Sequence, residues 1–351
     1  MSRGSPHGLP ACAGRSTMSF EATKIEADDD GIRVDRWFKR HFPAMAHSAV
    51  EKLLRTGQVR LDGKRVSAGD RIAVGQLLRL PPQLQTAEAG LSTHSQPPDT
   101  QLGERLKEQA ESLVIHKDSS VLVLNKPAGL ATQGGSGIRE HVDGLLEFLR
   151  FEKKQRPRLV HRLDRDTSGI LVVARTATAA ASLSEALRRR DATKLYWALT
   201  KGVPQPARGT IRSPLAKEAA GRSEKMVTAE EHDTGAKAAV TDYVVLGQAG
   251  QELAWVAVRP YTGRMHQIRV HLASIGTPIV GDFKYGGVDA RGRGEIENRL
   301  HLHARSIDIA HPDGGRLNVS APLPPHMLHA WRLLGFDPEL EENPFTRRTR
   351  R

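Results

Sequence analysis

The chain has 351 residues and carries 52 Lys and Arg against 40 Asp and Glu, a formal charge of +12. That length suits two domains rather than one, and the single cysteine, Cys12, excludes an internal disulfide framework and any multi-cysteine metal centre. No apolar run reaches the ~20 residues of a membrane span, so the sequence reads as a cytoplasmic protein whose surplus cations favour polyanionic partners, nucleic acid first.

Residues 1–30 read as a disordered extension. They are Gly, Pro, Ser and Arg as far as Met18, itself a candidate start of translation, and lack both the apolar stretch of a secretory signal and the apolar face of a transit helix. Residues 31–82 form the first compact unit. Ile32, Val34, Trp37 and Phe38 predict an amphipathic helix running to about Phe42, where Pro43 ends it. Ser48 is a candidate cap for a second helix, with Val50, Leu53 and Leu54 inside and Gly57 at its end. Asp62-Gly63 signals a hairpin turn, and Ile72–Val74 and Leu77–Leu80 close the unit as short strands. It holds 11 Lys and Arg against 4 Asp and Glu, so +7 of the total charge sits in about a seventh of the chain. Charge so concentrated is the footprint of a nucleic-acid binder, with Arg33, Arg36, Lys39, Lys52, Arg55, Arg60, Lys64 and Arg65 as the candidate nucleic-acid contacts.

Residues 83–112 are polar, contain Pro97-Pro98 and read as a linker with a helical end. Residues 113–336 alternate strands and helices without a break. Val121–Leu124, Ile170–Val173, Tyr196–Leu199, Thr241–Leu246, Trp255–Arg259 and Leu317–Val319 are strand candidates. Ala177–Arg189 and His266–Ile275 read as helices, the latter ended by Gly276. The order is not a regular βαβ alternation, which predicts an α+β domain on a mostly antiparallel mixed sheet. Residues 337–351 read as a tail ending in Arg347, Arg348, Arg350 and Arg351.

The densest polar cluster is His161-Arg162-Leu163-Asp164-Arg165-Asp166-Thr167-Ser168-Gly169, immediately before an apolar strand. It sets a carboxylate at the mouth of the sheet among guanidinium groups, which favour its charged form. Such a group suits nucleophilic attack or stabilisation of a sugar cation. The same residues would equally serve to cap a turn, with Asp164 or Asp166 paired to Arg165. A two-carboxylate glycosidase is disfavoured, because residues i and i+2 of an extended segment face opposite ways. A second cluster, Arg259 to His271, follows a strand, turns at Gly263 and opens a helix. Arg264, His266, Gln267 and Arg269 fall in its first turns, a natural anion site. His301 and His303 on one strand face are the best case for a metal, but with no carboxylate pattern beside them they read as core histidines. Asn125-Lys126-Pro127-Ala128-Gly129 and the following Gly134-Gly135-Ser136-Gly137 lack the spacing of a nucleotide-binding loop. Tyr196 by itself reads as a core aromatic.

Jointly, His161–Gly169, Lys194–Ala198, Gly263–Ala273, Asn125–Gly129 and Gly281–Gly287 resemble the RluA-type pseudouridine synthases, in that family's order and across nearly all of residues 113–330. Residues 31–82 resemble the S4 RNA-binding module that precedes the catalytic domain in several members. That unit and the Gly134–Gly137 loop look most like the C-type synthases of bacterial large-subunit ribosomal RNA. One departure is Met265, where the family has Thr or Ser. The resemblance implies an α+β catalytic domain behind a small α/β-hairpin S4 domain, and an isomerase that converts uridine to pseudouridine in 23S ribosomal RNA or its precursor particles. It implies Asp164 as the catalytic carboxylate, Arg269 as its basic partner, and Tyr196 as the residue that stacks on uracil and helps remove the C5 proton. Arg162 would hold the flipped nucleotide, with Arg264 and His266 also on RNA. No cofactor, metal or membrane is implied, and a monomer is expected. A transfer-RNA synthase of the same family and a non-catalytic RNA-binding assembly factor on the same scaffold remain the alternatives.

Overall fold

Trp37 and Phe38 anchor the N-terminal unit. They lie on α1 (Val34–His41), whose buried positions Val34, Trp37 and Phe38 recur at the three- and four-residue spacing of one helical face. α2 (His47–Arg55) turns Val50 and Leu54 onto the same core. Both pack on an antiparallel sheet of order β1–β4–β2–β3, comprising β1 (Ala22–Lys24), β2 (Arg60–Leu61), β3 (Lys64–Arg65) and β4 (Leu77–Arg79). The Asp62-Gly63 turn has φ of 48° and 77°, the paired left-handed conformation that matches hairpin twist. Arg33, Arg36, Lys39, Lys52, Arg55, Arg60, Lys64 and Arg65 are all exposed.

The computed structural model describes residues 22–42, 45–82, 84, 100–134, 140–218 and 225–345, and the chain divides into two units, Met1–Pro98 and Asp99–Arg351. Several boundaries differ from the sequence expectation. The first unit starts by residue 22, because β1 pairs with β4 and Ile25 enters the core; residues 1–21 lie outside the described residues. α2 is preceded by Ala46, which places Ser48 inside the first turn and not at the cap. Ile72–Val74 forms no strand: Ile72 is buried, but the Val74 amide is taken by the Asp30 carboxylate. Thr100–Ser112 is helix α3, and its Leu106 and Ala110 pack into the core of the second unit, so it is no part of a linker. At the other end Phe336, Leu340 and Phe345 pack against the cluster containing Trp255 and Trp331, so the chain is bound to the domain as far as residue 345.

The second unit is built on ten strands in the order β10–β13–β14–β9–β15–β8–β6–β5, with β16 on β15 and β7 on β8. These are β5 (Val114–Lys117), β6 (Val121–Lys126), β7 (Arg158–Leu159), β8 (Ser168–Ala174), β9 (Thr193–Lys201), β10 (Arg208–Arg212), β13 (Val240–Ala249), β14 (Leu253–Pro260), β15 (Leu302–Ala310) and β16 (Arg316–Ser320). β11 (Leu215–Glu218) and β12 (Lys225–Thr228) form a separate hairpin. Among the described strands only β8 and β15 pair parallel, so the sheet is mixed and mostly antiparallel, as expected of this α+β class. β8 is buried at all seven residues, the continuous apolar run of a strand covered on both faces. α4 (Val142–Leu145) and α5 (Ala177–Arg188) pack with β6 and β8, α6 (Gln267–Ser274) with β14, and α8 (Pro325–Leu333) with the Trp197, Trp255 and Trp331 cluster.

The parallel contact requires a glycine. Gly169 has φ +104°, and a Cβ there would lie 2.3 Å from the Ala304 carbonyl oxygen on β15. The last residue of the Asp164 cluster is thus the point where two central strands meet.

Candidate active site

The segment between β7 and β8 carries Asp164 and has no ladder of its own. It is fastened by groups from the Lys126–Thr132 turn. The Lys126 ammonium, fully buried, donates to the carbonyls of Pro127, Leu130 and Arg165 at 2.8, 2.8 and 2.9 Å. The Gly129 amide donates to the Arg165 carbonyl at 2.9 Å, and the Arg165 guanidinium returns a bond to the Gly129 carbonyl at 3.0 Å. The Thr132 hydroxyl donates to the Leu163 carbonyl at 2.7 Å and accepts its amide at 3.2 Å. From the strand side, the Val172 amide donates to His161 Nε2 at 2.9 Å. The Asn125–Gly129 motif is therefore the cradle of the Asp164 loop. Leu163 turns into the core, and the Asp164 side chain keeps 20% exposure.

Three elements converge on this carboxylate. β9 brings Tyr196, set between Val258 on β14 and Ala304 on β15. Burial pushes its phenol above the ordinary range, and the Asp164 charge pushes it further the same way. The turn between β14 and α6 brings His266, whose Nε2 is 3.9 Å from Asp164 Oδ2. α6 brings Arg269, and the turn after it brings Asp282 and α7 (Phe283–Gly286), which carries Tyr285.

The structure differs from the expected pairing of Arg269 with Asp164. Arg269 forms a two-pronged bond with Asp282, Nε to Oδ2 at 2.8 Å and NH2 to Oδ1 at 2.7 Å. Asp282 is fully buried, and a buried bidentate pair of this kind fixes the guanidinium plane. Burial pulls the Arg269 guanidinium downward, but the bonds to Asp282 and the charges of Asp282 and Asp164 outweigh it, so it is held above its ordinary value. Asp164 is thus met by the field of Arg269, while the side chain in front of it is His266.

His266 is itself unusual, with φ 54° and ψ 18° at the start of α6, a left-handed conformation that costs a side-chain-bearing residue about 1 to 2 kcal/mol. Gln267 holds the turn: its amide oxygen accepts from the Thr262 hydroxyl and the Arg264 amide, and its amide nitrogen donates to the Val240 carbonyl and the Thr241 hydroxyl. His271 is bonded to Thr241 and the Ser213 carbonyl. Both are structural, not anion ligands. Arg162 and Arg264 are exposed, Arg264 donating to the Ala238 carbonyl. Met265 packs with the Leu215, Met226, Ala239 and Val270 cluster, as an apolar residue suits that position.

His303 bonds Ser168 and the Ala321 carbonyl, whereas His301 stacks edge-on against His326. Among the described residues no group of three or more His, Cys, Asp or Glu is placed to hold a metal ion. Likewise no helix among them is long and apolar enough to cross a membrane. The Gly135–Gly137 part of the glycine loop lies outside the described residues. Sequence reasoning overlooked Tyr285, Asp282, Lys126 and Thr132 as site residues. Lys126, Asp282 and Tyr285 fall inside segments already conspicuous by motif, but no local periodicity relates them to Asp164.

Residues 120–274, which include Lys126, Asp164, Tyr196 and Arg269, match the RNA pseudouridylate synthase family. The chain is 34% identical over 314 residues to the ribosomal large subunit pseudouridine synthase C of Escherichia coli K12, covering 88% of this chain and 94% of that protein. The chain belongs to the RNA pseudouridylate synthase family. A second relative of this synthase is the mitochondrial RNA pseudouridine synthase 4 of Arabidopsis thaliana, 34% identical over 399 residues, covering 90% of this chain and 82% of the relative. Among solved structures, the human RNA pseudouridylate synthase domain containing 4 superposes with a TM-score of 0.55 at 30% identity, over 66% of this chain and 97% of that one. As a member of this family the protein is an isomerase of uridine in RNA.

Proposed function

We propose that this synthase isomerises specific uridines of 23S-type large-subunit ribosomal RNA, using Asp164 as the reacting carboxylate. The observation that carries the reading is the convergence on Asp164 of His266, the field of Arg269 and the Tyr196 ring, at the end of a loop fastened by backbone bonds. The N1–C1′ bond of the target breaks, uracil rotates, C5 joins C1′, and the proton that C5 then loses is matched by the one N1 takes up; a carboxylate serves this either by adding to C1′ and being displaced when C5 bonds there, or by taking the C2′ proton and returning it. The nucleotide must leave its stack for the sugar to reach Asp164. Tyr196, whose phenol is held protonated, then offers its ring for stacking rather than a base in the resting site. Arg162 and Arg264 meet the RNA backbone.

The first unit is taken to be an S4-type RNA grip, its exposed cations contacting phosphate. The C-type relatives, named for the ribosomal large subunit and covered over more than nine-tenths of their length, favour ribosomal over transfer RNA. We take the enzyme to act in the cytoplasm as a monomer without a cofactor. The test is pseudouridine mapping of total RNA from a deletion strain complemented with wild type or Asp164→Ala. Large-subunit sites lost on deletion and restored only by wild type support the reading. Loss confined to transfer RNA moves the substrate, and restoration by Asp164→Ala removes the carboxylate from the chemistry.

A further inference from the structure

Asp164 has one side chain before it that the functional reading leaves without a task. His266 is positioned at both ends. Its Nδ1 lies 2.6 Å from the Tyr285 hydroxyl, and its Nε2 faces Asp164 at 3.9 Å. Tyr285 is fixed in turn: its oxygen accepts the Met226 amide at 3.3 Å, and the Arg269 guanidinium lies 5.1 Å from its ring centre. The phenol hydroxyl can either donate to His266 Nδ1 or accept from it, and the carboxylate on the other side, which only accepts, decides between them: the imidazole hydrogen sits on Nε2, toward Asp164, and Nδ1 accepts the Tyr285 proton.

We propose that His266 is the positioning residue of Asp164: locked through Nδ1 by Tyr285, it offers Nε2–H to the carboxylate and holds it in the orientation that meets the ribose. The proposal rests on the assignment of Asp164 given above. It replaces the phosphate contact that the sequence suggested for His266. The ring is 16% exposed and has both nitrogens turned to protein groups. Burial, reinforced by Arg269 and Lys284, pushes the imidazole toward its neutral form against the pull of Asp164 and Asp282, and a neutral ring attracts phosphate weakly. The 3.9 Å gap is longer than a hydrogen bond. Such contacts commonly tighten only when substrate closes the site. The left-handed backbone at His266 is in keeping with this role, since strain of that kind persists where surrounding bonds over-determine a functional position. Here Gln267 supplies those bonds.

The test uses the full chain and RNA from the deletion strain, following the rate at one mapped uridine against RNA concentration and salt. His266→Asn keeps a polar atom for Tyr285, suits the left-handed backbone and loses the donor to Asp164. His266→Gln carries an amide nitrogen to about the place of Nε2. The expected result for His266→Asn is a fall in kcat of about 10- to 100-fold, the scale on which misplacing a reacting group slows a reaction, with KM, its salt dependence and Tm unchanged. His266→Gln should recover part of kcat, and Tyr285→Phe should lower it less than His266→Asn. An unchanged kcat in His266→Asn overturns the proposal, as does a loss confined to KM with a shallower salt dependence. Equal impairment of the Asn and Gln variants also overturns it, because ring shape alone would then matter. An inactive wild type takes the proposal down with the functional reading; an active wild type beside an equally active His266→Asn overturns the proposal alone.

Discussion

Replacing Lys126 by Met tests whether the Asp164 loop is held by the buried ammonium. The side chain is fully buried and its nitrogen is bound by three carbonyls at 2.8 to 2.9 Å. Burial pushes the ammonium down to about 7, opposed by the Asp166 and Asp164 carboxylates. The cage itself selects the charged form, because a neutral amine brings two hydrogens to three acceptors. Met has similar length and fills the channel without a void, so the change reads polar loss and not cavity. The Pro127 and Leu130 carbonyls are orphaned, at about 1 to 3 kcal/mol each, while the Arg165 carbonyl loses one of its two donors and keeps the Gly129 amide; relief from burying a charge offsets part of this. The net is a destabilisation of about 2 kcal/mol. For a unit of this size each kcal/mol moves Tm by about 2 to 4 °C, so Lys126→Met should melt roughly 4 to 8 °C below wild type in calorimetry. Since one acceptor belongs to Arg165, adjacent to Asp164, kcat well below Tm should also fall by about tenfold or more. A Tm within about 2 °C of wild type, with kcat intact, would refute the reasoning.

Gly169→Ala forces a Cβ to within 2.3 Å of the Ala304 carbonyl oxygen on a backbone at φ +104°. It should cost about 3 kcal/mol or more in urea unfolding; a loss below 1 kcal/mol would mean that β8 and β15 separate easily. Burial lowers His161 and His303 to about 3 and His301 to about 4. Below the unfolded value of about 6.5 the unfolded chain takes up protons that these rings refuse, so stability is full above that pH and falls as it drops toward 4. The expected loss is about 1 to 2 kcal/mol per histidine between pH 7 and 5, readable by denaturant titration; a flat profile there contradicts neutral burial. Changing Arg60, Lys64 and Arg65 together to Gln should weaken RNA binding and reduce the slope of log K against log salt by about 2 to 3. An unchanged slope would take the first unit's cations off the phosphates.

The parts legible in the sequence were those with a local rule. The α1 face follows helical spacing through Val34, Trp37 and Phe38, the hairpin follows Asp62-Gly63, and β8 follows an unbroken apolar run. Of β15 only the His301 and His303 face was read as strand and core; its full length escaped notice because His303 and Arg305 put polar residues at the centre of the sheet, where an apolar run is expected. Both are buried only because distant groups satisfy them: Ser168 and the Ala321 carbonyl bond His303, while Arg305 donates to the same carbonyl and lies 4.5 Å from the Trp197 ring centre. Asp164 and Arg269 stood out by motif, but the partner of Arg269 did not, because the bond to Asp282 is made across a turn that has no period.

That exchange of partners has a chemical reason. With Asp164 as the reacting carboxylate proposed above, an arginine bonded directly to it would occupy the oxygens that have to reach the sugar and would hold the charge fast in the ground state. With both prongs on Asp282, the guanidinium keeps its positive field beside Asp164 without covering it. The carboxylate is left with a neutral ring in front and 20% of its surface open. Fixed charge at a distance, with an uncovered carboxylate face, suits the role proposed for Asp164, in which it interacts more strongly with the transition state than with the waiting site. Asp282→Asn should therefore act in two places: the released guanidinium swings to Asp164, and kcat falls although Asp164, His266 and Tyr196 are all intact. A crystal structure of Asp282→Asn with Arg269 still clear of Asp164, or a variant with wild-type kcat, would show that the buried aspartate has no part in keeping the carboxylate free.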